Sequence, residues 1–276
     1  MNRLVVCADD YALNPGVSRA IRELADQGRI SATSAMVWSD HWPEHAKPLR
    51  DLAGRISVGL HLDGTSPWAL RAGHGMPLGL LMLRSALGAL DVARVRAAIE
   101  RQLDRFEAAW QAPPDHVDGH QHIQQFPVLR QALVQVLQQR YGHSRRPWLR
   151  VSRPHAQERG FKSWLIGRMG ASHLAALAQQ AGLPHSTTLV GISDFTGDAQ
   201  HWLDQAQTWL DWIRQSPDAV LMCHPGLADA DAHDGIASAR VQEWQALSDP
   251  RWPLALQSRG LSLTRQPGPC AAAEAA

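Results

Sequence analysis

Two adjacent carboxylates at the end of an apolar segment are the first residues of this sequence that could do chemistry. Asp9 and Asp10 follow residues 4–8, a continuous apolar run that is typical of a buried strand in a parallel sheet. Buried acids are costly unless a metal, a cation or hydrogen bonds compensate their charge. The pattern therefore predicts a charged site at a strand end, where one acid could face a metal and the other a substrate. The alternative is that Asp10 caps the helix that follows.

Two histidines and an arginine at later strand ends are possible partners for these acids. His61 lies inside an apolar strand-like segment, and His224 directly follows another. Arg150 occupies a similar place in a third, short segment. Each of them could instead be a hydrogen-bonded core residue or, for Arg150, a surface residue. We expect the strand ends to converge on one metal.

A third group of candidates alternates along one predicted strand. Asp118, His120 and His122 are each two residues apart, so a regular strand would place all three side chains on one side of the sheet. Histidine nitrogens and carboxylate oxygens are common ligands of catalytic metal ions. Periodicity does not say which of the three contacts a metal, and a hydrogen-bonded polar cluster is the alternative.

The elements that must position these residues alternate between strands and helices, which favours βαβ units and a parallel sheet. Strands are predicted at residues 4–8, 31–37, 56–62, 116–122, 148–151, 219–223 and 261–263. Helices are predicted at residues 17–24, 45–52, 87–110, 128–141, 161–177, 202–213 and 238–247, with a loop at 67–79. The order favours a single TIM-like (β/α) barrel over residues 1–265, which could be irregular or incomplete, with its active site at the C-terminal strand ends. Residues 266–276 are predicted to be a disordered tail.

Composition argues against several classes of partner. The 276 residues have 45% hydrophobic content and a net charge of +1 with histidine neutral, so nothing suggests binding to nucleic acid. Three widely spaced cysteines favour a reducing compartment without a disulfide framework. No apolar run is long enough to span a bilayer and no N-terminal signal segment is evident, so we expect a cytoplasmic protein. Tryptophan-bearing helices are compatible with a homodimer.

Four short motifs occur in an order and spacing that resemble the YdjC-like family of carbohydrate deacetylases. They are Ala-Asp-Asp-Tyr at 8–11, Gly-Leu-His-Leu at 59–62, Asp-Gly-His-Gln-His at 118–122 and Leu-Met-Cys-His-Pro-Gly at 221–226. The resemblance extends from about residue 3 to residue 247, and Arg240 with Glu243 is similar to an Arg-and-Glu pair on the family's closing helix. Each motif is short, but the four together are specific.

The resemblance implies a TIM-like barrel with a divalent metal ion, magnesium or zinc, held by one aspartate and two histidines. Here those ligands would be Asp10, His61 and His120. The implied reaction is hydrolysis of an N-acetyl group on a sugar or a sugar-containing compound, that is, of a linear amide C–N bond.

The resemblance also implies roles for the remaining candidates. Asp9 would be the general base, and His224 would be the general acid. Arg150 would orient the base or the substrate, and we place His122 and Tyr11 among the substrate-binding or orienting residues.

Two alternatives remain open at this point. Two histidines and one carboxylate are also the ligand set of non-haem iron oxygenases. A non-catalytic sugar-binding protein on the same scaffold is the other alternative, because Gln124 stands where the family usually has a further histidine and Ser18 where it usually has asparagine.

Overall fold

A computed structural model describes residues 2–142, 146–214, 216, 218–228 and 234–268. Of the predicted tail, residues 269–276 lie outside this range. Gly268 lies within it and donates its N–H to the Asp218 carboxylate.

The described residues form eight strands, all of which pair in parallel within one sheet. The strands are β1 (Asn2–Tyr11), β2 (Ala32–Ala35), β3 (Ser57–Leu62), β4 (His116–Gly119), β5 (Trp148–Leu149), β6 (Thr188–Val190), β7 (Ala219–Cys223) and β8 (Leu261–Leu263). Their order is β5–β4–β3–β2–β1–β7–β6, and β8 pairs with the first residues of β1.

Helices connect these strands. They are α1 (Pro15–Asp26), α2 (Trp42–Leu49), α3 (Pro67–Arg71), α4 (Leu78–Ala86), α5 (Val92–Trp110), α6 (Leu129–Tyr141), α7 (Phe161–Arg168), α8 (Ala171–Gln180), α9 (Ala199–Ile213), α10 (Ala237–Ser248) and α11 (Arg251–Ser258). Short 3₁₀ helices cover Arg50–Leu52 and His120–Gln125.

The two edges of the sheet meet through isolated bridges. Leu149 pairs with His185 and Pro154 with Leu189, both in parallel. The sheet therefore curls into a TIM-like barrel whose closure between β5 and β6 is incomplete, which confirms the predicted fold class.

Alternation along β1 divides the core into two layers. Leu4, Val6 and Ala8 pack in the cluster between the sheet and its helices, whereas Val5 and Cys7 belong to a second cluster inside the barrel. A strand buried on both faces reads as a continuous apolar run, which is why this segment stands out in the sequence. The same alternation places Asp9 on the interior side, at the C-terminal end of the barrel.

The predicted loop at 67–79 was wrong, because it contains α3 and the beginning of α4. Ser66 accepts the N–H of Ala69 and caps α3, and Pro67 occupies its first position. Proline is favourable there, although it breaks a helix elsewhere. The serine and proline at the start of α3 are also common in turns, so the sequence alone did not distinguish this helix start from a loop.

Other elements also differ from the prediction. The helix predicted at 161–177 is two helices, α7 and α8, which meet at Gly170 with φ of 121°. A side chain there would strike the carbonyl oxygen of Gln125, so the break requires glycine. Strand β6 and helix α11 were not predicted. Among the described residues, none of the helices has both the length and the hydropathy to cross a membrane.

Candidate metal centre

A bend at the end of β1 brings two successive carboxylates to the same site. Asp10 has a left-handed backbone with φ of 67°, and the pairing with β2 shifts register between Ala8 and Tyr11. In a regular strand Asp9 and Asp10 would face opposite sides, but this irregularity turns Asp10 back to the barrel mouth. Asn14, not Asp10, caps α1, so the capping alternative for Asp10 is wrong.

The three predicted metal ligands lie together at this mouth. Asp10 Oδ1 is 3.4 Å from His61 Nε2 and 3.2 Å from His120 Nδ1. Two ligand atoms about 2.1 Å from one tetrahedral ion would be about 3.4 Å apart, so these separations suit a shared metal. Asp10 Oδ1 is buried and has no hydrogen-bond donor. An unpaired buried carboxylate oxygen between two imidazole nitrogens is the environment that a divalent cation would satisfy.

The second oxygen of Asp10, Oδ2, accepts a hydrogen bond from an arginine. Arg240 on α10 donates to Asp10 Oδ2 at 2.8 Å and to Asp234 Oδ2 at 2.6 Å. Although burial raises the pKa of Asp10, Arg240 and the two neighbouring histidines hold it well below its ordinary value. Asp10 is therefore a charged carboxylate with one free oxygen that faces His61 and His120.

A buried carboxylate orients His61. Asp118 Oδ1 accepts a hydrogen bond from His61 Nδ1 at 2.6 Å, and this leaves Nε2 to face Asp10. Burial alone would lower the pKa of His61, but the charges of Asp118 and Asp9 raise it to about 10. A position that attracts a proton this strongly also attracts a metal cation. A carboxylate behind a ligating histidine is the usual way to set the tautomer of the ring.

The prediction that Asp118, His120 and His122 project from one side of a regular strand was wrong. Strand β4 ends at Gly119, and Gln121 and His122 have left-handed backbones with φ of 54° and 61°. The turn sends the three side chains to different partners. Asp118 points into the barrel, His120 approaches Asp10, and His122 Nδ1 is hydrogen-bonded to Ser152 Oγ at 2.9 Å.

Gln124 has a structural place in this turn. Its side-chain amide donates to the Arg150 carbonyl at 3.0 Å and to Ser152 Oγ at 3.1 Å. A side chain at Gly119 would lie 2.7 Å from Gln124 Oε1, so the glycine permits this close packing. Through these hydrogen bonds, Gln124 holds the segment that carries His120 in place.

Arg150 fixes Asp9 beside the three candidate ligands. Its two terminal nitrogens donate to the two Asp9 oxygens at 2.6 and 2.7 Å, and Nη1 is also 3.0 Å from Asp118 Oδ2. The guanidinium is fully buried; burial would lower its pKa, but Asp118 and Asp9 raise it well above the ordinary value. One buried cation thus forms ion pairs with two carboxylates of the site.

His224 lies on the other side of Asp9. Its Nε2 is 3.9 Å from Asp9 Oδ2, and its backbone N–H donates to Glu243 Oε2 at 2.5 Å. Burial lowers the pKa of His224 to about 4 against the raising effect of Asp9 and Asp10, and burial raises the pKa of Glu243 to about 7. His224 is therefore neutral near pH 7 and has an unpaired, buried Nδ1.

Tyr11 is placed away from this group. It is fully buried in the layer between sheet and helices, and its hydroxyl donates to the His45 carbonyl at 2.8 Å. The prediction that Tyr11 binds substrate therefore has no support in its position.

Sequence reasoning missed a polar network deeper in the barrel than the candidate metal centre. His116 is fully buried, hydrogen-bonded to Ser57 Oγ at 2.8 Å and to Ser34 Oγ at 3.0 Å, and Ser34 donates to Asp118 Oδ2 at 2.5 Å. Burial lowers the pKa of His116 to about 4, so its ring is neutral near pH 7. The spacing of His116 and Asp118, two residues apart on β4, is the signal that could have identified it.

Comparison with known proteins agrees with this arrangement. The family described as YdjC-like protein matches residues 3–258. A protein from Serratia marcescens named chitooligosaccharide deacetylase is 27% identical, over 94% of this chain and 96% of its own length. A mouse protein named carbohydrate deacetylase is 34% identical over 49% of this chain and 47% of its own length.

A solved structure has the same fold. It is an Enterococcus faecalis V583 protein described as a cellobiose-phosphate cleavage protein, with a TM-score of 0.73 and 19% identity over 95% of this chain and 97% of that one. Because the family match covers nearly the whole chain, including the strand ends that form the site and helix α10 with Arg240 and Glu243, this chain belongs to the YdjC-like protein family.

Proposed function

We propose that this protein is a metal-dependent carbohydrate deacetylase, which hydrolyses an N-acetyl group on a sugar or a sugar-containing compound. The observation that carries the proposal is the buried, unpaired Asp10 Oδ1 between two imidazole nitrogens, with a second acid and a histidine beside it. The Serratia marcescens relative, which aligns over most of the chain, is named a chitooligosaccharide deacetylase, and the mouse relative, which aligns over about half of it, is named a carbohydrate deacetylase. Both names support the same reaction.

Asp10, His61 and His120 would hold the ion. Three protein ligands leave positions open for other molecules, as in catalytic zinc sites. Two imidazoles among three ligands favour zinc or a similar metal over magnesium, which prefers oxygen ligands. When bound, the ion supplies a Lewis acid for the acetamide carbonyl and lowers the pKa of water.

Asp9 is the proposed general base. Arg150 fixes both of its oxygens, so the carboxylate cannot rotate away from the centre. Each oxygen keeps a second lone pair that can accept a proton from the attacking water. Positioned acid–base groups of this kind typically contribute about 100- to 10,000-fold to the rate.

His224 is the proposed general acid that protonates the departing amine. Because its pKa is about 4, the ring does not hold this proton in the resting site near pH 7. We propose that the proton taken up by Asp9 reaches His224 during the reaction, since the two side chains are 3.9 Å apart and a small movement would bring them into hydrogen-bond contact. Glu243 fixes the backbone of His224. His122, which faces Ser152, stays a candidate for substrate orientation.

Acetate release tests the proposal. The metal-free protein is incubated with N-acetylglucosamine, its oligomers and a lipid-linked N-acetylated sugar, with zinc or magnesium and without oxygen. Acetate release that depends on added metal is expected; release without oxygen excludes an iron oxygenase. Sugar binding without acetate release under any condition would refute the hydrolase and favour a sugar-binding protein.

A further inference from the structure

Helix α4 and its C-cap residue present a stripe of leucines to solvent. Leu80, Leu83 and Leu87 are all exposed, Leu83 at 57% and Leu87 at 71%. Because they are three and four residues apart, they lie on one face of the helix. Leu81 and Ser85 on the opposite face are buried and attach the helix to the protein. A helix that is apolar on both its buried and its exposed face calls for an apolar partner on the outside.

The segment between β3 and α5 contains most of the exposed apolar side chains. Among the described residues, eight large hydrophobic side chains are exposed, and five of them lie between residues 70 and 92. The two outside the stripe are Leu70 on α3 and Val92 at the start of α5. Single exposed leucines are ordinary on a protein surface, whereas a concentration of them in one segment marks an interaction site.

The same segment is positively charged. Residues 64–98 contain four arginines and one acid, a net charge of +3, while the whole chain has a net charge of only +1. The acid, Asp91, caps α5 by accepting the N–H groups of Ala93 and Arg94. Arg71 pairs with Asp40 at 3.2 Å, but Arg84, next to Leu83, has no ion-pair partner within the part of the chain that the structure describes. The stripe is therefore accompanied by cations whose charge is not balanced locally.

A cavity of about 490 Å³ lies on the inner side of α4, between this helix and α5. Its apolar lining includes Met76, Leu81, Leu90, Val95, Ile99 and Ile123, and its charged lining includes Arg84, Arg94 and Arg101. Hydrocarbon walls with guanidinium groups beside them match the chemistry of an anionic lipid, which has acyl chains next to a charged headgroup. The inner and outer sides of α4 thus favour the same kind of partner.

A second copy of this chain is a poorer match for the stripe. A two-fold interface places the same surface on both partners, so two arginine-rich segments would face each other. Like charges opposite each other cost affinity, and the single acid of the segment is engaged as a helix cap. Anionic headgroups supply the negative charge that the segment lacks, and the hydrocarbon below them accepts leucine side chains.

We propose that α4 docks this protein on the surface of an anionic lipid bilayer, with Leu80, Leu83 and Leu87 inserted among the acyl chains and Arg84 at the level of the headgroups. Nine residues of helix are too few to span a bilayer, so α4 lies in the plane of the surface. The long side chain of arginine can keep its charge among the headgroups while its methylene groups cover apolar surface.

The test is sedimentation of the full chain with vesicles of phosphatidylcholine, or of phosphatidylcholine with phosphatidylglycerol, at equal total lipid and without any sugar. The outcome is therefore independent of the proposed reaction. The parent should bind the anionic vesicles at low salt and bind more weakly at high salt. Arg84→Gln should weaken binding about 5-fold, and Leu83→Ser combined with Leu87→Ser about 10-fold or more. Leu254→Ser on α11, where the leucine is 61% exposed, is the matched control and should bind as the parent does.

Equal binding of the parent to neutral and anionic vesicles, or binding to neither, would overturn the proposal. So would a double serine variant that binds anionic vesicles as tightly as the parent. Urea unfolding checks that the variants are folded, as expected for substitutions at exposed positions. If sedimentation velocity shows a parent dimer that the serine variants split into monomers, and the parent does not bind vesicles, the stripe binds a second copy and the proposal is wrong.

Discussion

Replacing Asp118 by asparagine tests whether the carboxylate behind His61 affects metal binding at the proposed metal centre. Asp118 is fully buried and accepts from His61 Nδ1 through Oδ1, while Oδ2 accepts from Ser34 and contacts Arg150. Asparagine has the same shape but only one acceptor oxygen. If the asparagine oxygen faces His61, the asparagine NH₂ group faces the Arg150 guanidinium, and two donors oppose each other. If the NH₂ group faces His61, the imidazole must carry its proton on Nε2, the nitrogen that faces Asp10.

Both orientations should weaken metal binding at the proposed site. Removing a partner of a ligating histidine typically costs 10- to 100-fold in metal affinity, which is about 1.4–2.7 kcal/mol. We therefore expect Asp118→Asn to bind zinc about 10- to 100-fold more weakly than the parent. Arg150 keeps its bidentate pair with Asp9, so the buried cation stays neutralised and the protein should fold.

The assay is a zinc titration in competition with a chromophoric chelator near neutral pH, with urea unfolding as the check on folding. Asp115→Asn is the matched control, because Asp115 lies just before β4 at the opposite end of the barrel, and among the described residues its carboxylate accepts a hydrogen bond only from the Val58 N–H. Its zinc affinity should equal that of the parent. A folded Asp118→Asn protein that binds zinc within twofold of the parent would refute the reasoning.

Three further predictions address the base, the packing and the pH dependence. Asp9→Asn should lower kcat for acetate release about 100- to 10,000-fold and leave zinc affinity within a few-fold; an unchanged kcat would exclude Asp9 as the base. Gly59→Ala should lower the urea-derived free energy of unfolding by about 1–3 kcal/mol or more, because the new Cβ would lie 2.4 Å from the His116 ring. Gly79→Ala is the control, because a Cβ at Gly79 would have no atom within 4 Å. Equal stability of these two variants would contradict the packing. Burial raises the pKa of Glu243 from 4.5, its value in the unfolded chain, to about 7 in the folded protein. The tighter binding of this proton in the folded state stabilises the protein. The stabilisation is complete below pH 4.5 and is lost as the pH rises through 7. Relative to the parent, Glu243→Gln should therefore gain unfolding free energy on the order of 3 kcal/mol between pH 4.5 and 7, and parallel pH profiles would contradict it.

The parts of the fold that could be predicted depend on local patterns. The run at the start of β1 is apolar because both of its faces are buried, and His61 alternates with Leu60 and Leu62 because they face the helices. Such patterns locate strands and their C-terminal ends, and parallel strands bring those ends to one mouth. The meeting of Asp10, His61 and His120 follows from this level of reasoning together with the family resemblance.

The remaining features of the site depend on contacts between distant segments or on unusual backbone angles. Left-handed residues such as Asp10, Gln121 and His122 carry no compositional signal, since they are not glycine. Arg240 lies 230 residues after Asp10, and only the fold reveals that it occupies one oxygen of that carboxylate. For the same reason the sequence did not show that Asp118 sets the orientation of His61.

Strand β1, which carries Asp9 and Asp10, pairs with two strands, β7 and β8, that are synthesised much later than β1 itself. Cys223 on β7 lies 216 residues after Cys7, and Thr264, next to β8, lies 261 residues after Arg3. Because such distant pairings form late and slowly, a nascent chain that has reached only β6 leaves an edge of β1 open beside an unfinished mouth. Molecules that stop short of β7 should therefore aggregate or be degraded.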